Sequence, residues 1–275
     1  MQVLLYLPIE KAFVLCYNMY EVRRMNEMVF YRSEQMEFVI IHSGILRFGE
    51  HCHAADIVVS GITGGSALLM LGGKEHKLAC GDIFSVLPYE NHCLTSDEPA
   101  DMLTMCIKRE LFSQSREVYE GFVSTAVNGL CEKPELTDSE KNIARKLCEA
   151  SMAIYDAADE LFPRDTDELL EKGRQMLEAS PENDEDIQSL ADSSYMSKYH
   201  YIRRFKAISG LTPNKFRLQN RIRKAQQLIA DGEKVADAAV MSGFYDQSHF
   251  DRYFKKIVGI PPKEYIRSLR NFVQE

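Results

Sequence analysis

The chain has 275 residues, 45% hydrophobic and 27% charged, the mix of a folded globular protein rather than a disordered or fibrous one. No apolar run reaches the ~18–20 residues of a membrane span, and the short apolar segment 1–8 lacks the basic region and cleavage site of a secretory signal. The formal charge of -8 hides two unlike parts: residues 187–270 carry 16 Lys+Arg against 7 Asp+Glu, a net of +9, which leaves -17 for the remainder. That asymmetry predicts a basic, DNA-binding module joined to an acidic domain. Seven cysteines with no CxxC pair read as reduced thiols of a cytoplasmic protein.

Residues 36–107 alternate short β-type runs with turn signals. The runs are 38–41, 45–48, 57–60, 67–71, 83–87 and 102–107, broken by Gly61, Gly64-Gly65, Gly72-Gly73 and Gly81-Asp82. Short strands at this spacing predict an antiparallel sandwich or barrel. Two segments in it resemble the motifs of the cupin barrel. One is His51-Cys52-His53, with Gly64 eleven residues on. The other is Gly81-Asp82-Ile83-Phe84-Ser85-Val86-Leu87-Pro88, followed by His92.

Metal-binding cupins place a Glu four residues after the second His, where this chain has Ile57. Asp56 is adjacent, but a one-residue shift on a strand predicts that it points to the opposite face. His51, His53 and His92 are therefore read as lining an effector pocket at the barrel mouth, with no metal and no cofactor. Cys52, Cys80 and Cys93 lie nearby in sequence without a ligand spacing.

From about residue 110 the pattern turns helical. The segment 138–155, opening Asp138-Ser139-Glu140, begins with helix-start chemistry, and Ile143, Leu147, Ala150 and Ile154 form one stripe along it. That stripe packs either on its own domain or on a second subunit. Residues 156–186 hold 12 Asp+Glu against 3 Lys+Arg, with Pro163 placing a linker near 162–165. Another amphipathic helix is expected over 166–179.

The last hundred residues contain a repeat. Arg203-Arg204-Phe205-Lys206 answers Arg252-Tyr253-Phe254-Lys255, and Gly210-Leu211-Thr212-Pro213 answers Gly259-Ile260-Pro261-Pro262. Each copy reads as a short helix, a tight turn, a longer helix, then a Gly stop and a Pro restart. Between the copies, 213–230 is an uninterrupted helix carrying Arg217, Arg221, Arg223 and Lys224, with Phe216, Leu218, Ile222, Ala225 and Ile229 as its buried side.

The run Gly243-Phe244-Tyr245-Asp246-Gln247-Ser248-His249-Phe250-Asp251-Arg252-Tyr253-Phe254-Lys255-Lys256, continued by Gly259-Ile260-Pro261-Pro262-Lys263-Glu264-Tyr265, resembles the signature of the AraC/XylS family of bacterial transcription regulators. Ser197-Lys198-Tyr199-His200-Tyr201-Ile202-Arg203-Arg204-Phe205-Lys206 resembles that family's first recognition helix. The resemblance covers roughly 166–270. It implies an α+β chain of two domains. The first is a cupin-like antiparallel β-barrel with following helices (1–162), which binds an effector and dimerises. The second is an all-α DNA-binding domain (166–275) with helix-turn-helix motifs near 187–209 and 235–258, joined by a linker helix.

In such a domain Tyr201, Phe205, Phe250 and Phe254 face inward, while Lys198, Tyr199, Ile202, Arg203 and Lys206, with Gln247, Ser248, Asp251 and Arg252, face double-stranded DNA. Arg203 suits guanine, Gln247 adenine, Arg252 guanine or phosphate, and Ile202 a thymine methyl; Lys198 and Lys206 suit phosphate. The expected function is a sequence-specific, non-enzymatic transcription regulator under small-molecule control, a homodimer that meets RNA polymerase if it activates. Two alternatives are a metal-dependent cupin enzyme fused to a DNA-binding domain, and a DNA-binding protein whose barrel only mediates association.

Overall fold

A strand buried on both faces must satisfy two cores with alternating side chains, and three central strands of this protein do so. The computed structural model describes residues 27–33, 35–53, 56–161 and 168–271, so the segment 1–8 and the expected linker 162–165 lie outside the described residues. Among the described residues there are ten strands: β1 Glu27–Arg32, β2 Met36–Gly44, β3 Arg47–His51, β4 Asp56–Gly64, β5 Ser66–Leu71, β6 Lys74–Ala79, β7 Ile83–Val86, β8 His92–Thr95, β9 Ala100–Lys108 and β10 Leu269–Asn271. They form a six-stranded sheet, β10-β1-β2-β9-β4-β7, and a four-stranded sheet, β3-β8-β5-β6.

Along β2, β4 and β9, one set of side chains (Phe38, Ile40, Ile57, Val59, Leu103, Met105, Ile107) faces a core shared with the helices α1 Arg116–Cys131 and α2 Asp138–Asp156. The alternate set, including Val39, Val58 and Thr104, faces the barrel interior. α2 starts at a capping box in which Thr137 and Glu140 satisfy each other's backbone. Its stripe of Ile143, Leu147 and Ile154 is buried in that same core, so the stripe packs on its own domain and not on a second subunit. A short helix, α3 Ala158–Leu161, follows.

The C-terminal part comprises α4 Glu168–Ala179, α5 Ile187–Ser193, α6 Lys198–Ser209, α7 Pro213–Ala230, α8 Val235–Met241, α9 Gln247–Val258 and α10 Pro262–Ser268. Ser197 caps α6 and Asp246 caps α9, each accepting backbone N–H bonds of the first turn. Tyr201, Phe205 and Phe216 fill one small core. Phe250, Phe254, Phe244 and Tyr265 fill the other. Aromatic pairs at 5–6 Å, such as Phe205–Phe216 at 5.5 Å and Phe250–Phe254 at 5.4 Å, hold both together.

Two features place the barrel against this helical part. β10 pairs in parallel with β1, Phe30 opposite Leu269, so the C-terminal end of the described chain extends the barrel's sheet. The left-handed glycines that stop α6 and α9 both abut the barrel. A Cβ on Gly210 (φ 71) would collide with the Tyr89 carbonyl, and one on Gly259 (φ 96) would lie 2.9 Å from the Phe48 ring. No helix among the described residues is long and apolar enough to cross a membrane.

Candidate functional site: two recognition helices and an inter-domain cavity

Lys198, Tyr199, Arg203 and Lys206 are exposed on α6, as are Gln247, Ser248 and Arg252 on α9, while Tyr201, Phe205, Phe250 and Phe254 are fully buried. The helical period accounts for this split, since the i,i+4 aromatics turn one face inward. Two of the expected contact residues are less open. Ile202 is half-buried against the first core, and Asp251 is half-buried on α9. Lys198 approaches Asp186 at 3.6 Å, and the Arg252 guanidinium lies 5.4 Å from the Tyr253 ring centre. His249 sits between the rings of Phe244 and Tyr253, whereas His200 is exposed. Tyr195 and Tyr245, each 91% exposed just before a recognition helix, were missed in the sequence. They do not occupy matching places in the repeat: Tyr195 (φ 53) answers Gly243 (φ 85), and Tyr245 is an extra residue in the second turn.

Four cations of α7 are turned into the protein, while Lys215 is exposed and meets Glu50 at 2.9 Å. Arg217 is buried and donates to the Asn183 carbonyl. Lys224 pairs with Glu182 at 2.8 Å, and Arg221 with Asp184 at 2.6 Å. Arg223 pairs with Asp56 at 3.1 Å. Part of the +9 of the basic segment is thus matched by acids of the preceding segment and of the barrel. Gln219 and Asn220 are buried too, because α7 lies between the two small bundles and the barrel.

Between barrel and α7 lies a cavity of about 460 Å³, within the range of small-molecule sites. Strand register grades its lining along the barrel axis. Ile41 lies beside Met102 at the apolar end, and Val39 and Ser60 flank Thr104 in the middle. Glu37 and Val58 flank Cys106 nearer the mouth, and Asp56 stands opposite Lys108 at the rim. Asn220, Arg223 and Gln227 of α7 close this polar end.

Charges at the rim are paired. Glu37 meets Arg32 at 2.7 Å, and the Asp56 oxygens meet Lys108 at 2.9 Å and Arg223 at 3.1 Å. Burial pushes the Glu37 carboxyl up, with Arg32 opposing. Arg32 also reaches the helical part, donating to Tyr265 Oη at 3.1 Å and Gln227 Oε1 at 2.7 Å.

Residues 42–191 match the family model of the AraC-like ligand binding domain, and residues 190–268 that of a helix-turn-helix domain. The chain belongs to the AraC family of transcription regulators. It is similar to the HTH-type transcriptional regulator YbfI of Bacillus subtilis (strain 168), 26% identical over 227 residues, 74% of this chain and 81% of that one. It is also 34% identical over 86 residues to the MmsAB operon regulatory protein of Pseudomonas aeruginosa, a match that spans 28% of that relative's length. In fold it is similar to ToxT of Vibrio cholerae O395, with a TM-score of 0.53 at 16% identity over 88% of this chain and 97% of ToxT. Another ToxT structure, with a TM-score of 0.52 at 15% identity over 90% of this chain and 98% of that one, holds an unsaturated fatty acid.

In this AraC-family chain the three expected histidines converge. His51, His53 and His92 line the cavity, and one ring nitrogen of each lies within 4.8 Å of the others. Their protons are fixed by their partners. The carbonyls of Gly49 and Glu90 can only accept, so His51 (2.7 Å) and His92 (3.1 Å) each donate from Nδ1. The Arg223 guanidinium can only donate, so His53 Nδ1 accepts from it at 2.7 Å.

All three rings are held neutral. Burial and then His92 bring His51 down to about 3, burial and then Arg223 hold His53 well below its usual range, and burial lowers His92. Imidazole lone pairs therefore remain on Nε2 of His51 and His92, while that of His53 is spent on a cation. The donor set does not fit a divalent metal ion while Arg223 is in place.

The expectation for Asp56 and Ile57 is overturned. Asp56 faces the cavity, whereas Ile57 is fully buried against α1 and α2. β3 ends at His51 and β4 begins at Asp56, so counting residues from the histidines leaves one strand for another and loses the strand phase. The thiols near the histidines in sequence are likewise elsewhere. Cys52 points away and donates to the Ser209 carbonyl, Cys80 is exposed, and the thiol lining the cavity is Cys106.

Proposed function

We propose that this AraC-family regulator binds duplex DNA through α6 and α9 and holds an organic effector in the cavity between barrel and α7, with no catalytic step and no metal. One observation carries the reading: the helix that joins the two recognition motifs is also the lid of the cavity. An effector that fills the apolar interior and reaches the rim meets His51, His53 and His92 on the barrel and Arg223 on α7. On the DNA side Arg203 and Arg252 read guanine edges and Gln247 an adenine. Lys198, Tyr199, Lys206 and Ser248 position the helices on the backbone, with Ile202 and Asp251 in secondary contacts. The same reading divides the chain into an effector domain up to residue 162 and a DNA-binding domain from 166. It has the protein work in the cytoplasm as a homodimer that touches RNA polymerase where it activates.

The test is a full-length chain used first to select duplexes from a random pool and then screened by melting shift against a small-molecule library. Compounds that raise the melting temperature should change affinity for the selected duplex, and Thr104→Trp, which fills the middle of the cavity, should abolish both effects. Failure to enrich any duplex counts against DNA binding. Compounds whose effects survive Thr104→Trp count against the cavity.

A further inference from the structure

The most connected cation of the DNA-binding part is Arg221, and it faces no groove. Its Nε donates to the Pro181 carbonyl at 2.6 Å, one Nη to the Gly243 carbonyl at 2.9 Å, and the other to the Glu182 carbonyl at 3.2 Å and to Asp184 Oδ1 at 2.6 Å. Pro181, Glu182 and Asp184 belong to the loop that leads into α5, the first helix of the first motif. Gly243 belongs to the turn between α8 and α9, inside the second motif. One guanidinium thus ties the leader of the first reader to the turn of the second, from the helix that separates them.

Other contacts converge on the same joint. The Tyr245 hydroxyl, from the second motif, donates to the other oxygen of Asp184 at 3.0 Å. The backbones are in near contact, since a Cβ on Gly243 would lie 2.8 Å from Glu182 Cα. Arg217 and Lys224, at helical spacing on either side of Arg221, grip Asn183 and Glu182. A planar fork with five N–H donors in fixed directions suits three carbonyls and a carboxylate at once, and an ammonium cannot replace it.

We propose that Arg221, with Asp184 and Tyr245, is a positioning joint that sets the separation and phase of the two recognition helices. The proposal rests on the reading that α6 and α9 both enter DNA. Arg221 then acts on specificity without touching a base or a phosphate: it determines which spacing of two major-groove segments the protein accepts.

The experiment uses full-length protein and a duplex that the wild type selects from a random pool, together with versions carrying one to five inserted base pairs between the protected segments. Affinity, salt dependence and melting temperature are measured for the wild type, Arg221→Lys, Arg221→Met and Tyr245→Phe. Arg221→Lys and Arg221→Met should both lose about tenfold or more on the selected duplex, the range expected when two linked modules lose their fixed geometry. Their preference among spacings should flatten, and their salt slope should stay that of the wild type. Tyr245→Phe should flatten the spacing preference in part.

If Arg221→Lys binds like wild type while Arg221→Met loses a slope of about 0.9, Arg221 is a phosphate contact and the proposal is overturned. A wild-type spacing profile in every variant overturns it as well. Should the Arg221 variants melt early, Tyr245→Phe combined with Asp184→Asn decides the matter, because Tyr245 is exposed and Asp184 lies at the surface. A flattened profile then upholds the joint, and an unchanged one removes it. A wild type that enriches no duplex overturns the DNA reading and the joint together, whereas enrichment with unchanged variants overturns the joint alone.

Discussion

Arg223 on the linker helix donates to His53 on the barrel at 2.7 Å, and the same guanidinium reaches Asp56 at 3.1 Å. In return Arg32 of the barrel bonds Gln227 and Tyr265 of the helical part. Two arginines therefore cross the domain boundary in opposite directions, at the polar end of the cavity. A ligand that competed for either one would remove a contact between the reader and the barrel.

Arg223→Met removes the latch and leaves Asp56, which is buried, with Lys108 alone. Removing one partner of a buried charge pair costs up to about 3–5 kcal/mol, less here because Lys108 remains. Calorimetry should show a lower melting temperature and two transitions where the wild type has one. A single, unshifted transition would show that Arg223 couples nothing.

Arg203→Ala should cost about 1–3 kcal/mol on the selected duplex and relax the choice at one base pair. Lys206→Ala should weaken all sequences about equally. The salt slope should reflect the seven cations of α6 and α9 (Lys198, Arg203, Arg204, Lys206, Arg252, Lys255, Lys256), giving at most about -6 for each chain bound. A steeper slope per chain would mean that cations outside α6 and α9 also neutralise phosphates.

Ile57→Glu should not create a metal site. Ile57 is fully buried in the core beneath α1 and α2, so a carboxylate there loses its hydration and costs several kcal/mol. Urea titration should show the loss, and calorimetric titration with Co²⁺ should show no gain over wild type. Tight Co²⁺ binding by a folded variant would contradict the strand phase described above.

The histidine cluster predicts an acid-sensitive fold. The native state disfavours protons on His51, His53 and His92, whereas unfolded imidazoles take them up near pH 6.5. Stability should therefore be steady above about pH 6.5 and fall as pH drops toward 3, each ring adding up to about 1.4 kcal/mol per pH unit. Glu37, pushed up by burial, works in the opposite sense over the lower part of that window. Urea midpoints at pH 7.5, 6 and 5 test this, and His51→Gln should make the decline shallower. Equal midpoints at all three would show that the rings are not held neutral.

Much of this was legible in the sequence because it rests on local pattern. The Gly-Pro stops, the i,i+4 aromatics and the repeat identify α5 through α10, and alternating apolar runs identify β2, β4 and β9. β6, Lys-Glu-His-Lys-Leu-Ala, was invisible because it is an exposed edge strand with almost no buried face. β1 and β10 depend on each other across some 240 residues, which no local window reports. The three histidines were found by motif, but their partner was not. In the sequence Arg223 is one of five cations on 213–230, and only the packing of α7 on the barrel shows that it faces His53 and Asp56.

The parallel pairing of β1 with β10 has a consequence for how the chain comes into being. A barrel made first on the ribosome lacks its outermost strand until residue 271 has been synthesised, and β1 meanwhile presents open N–H and C=O groups. The sensing half thus cannot finish its sheet before the reading half exists. An effector domain expressed alone, cut within 162–167, should keep that open edge and self-associate through it, and a short peptide carrying residues 262–271 added in excess should suppress the association.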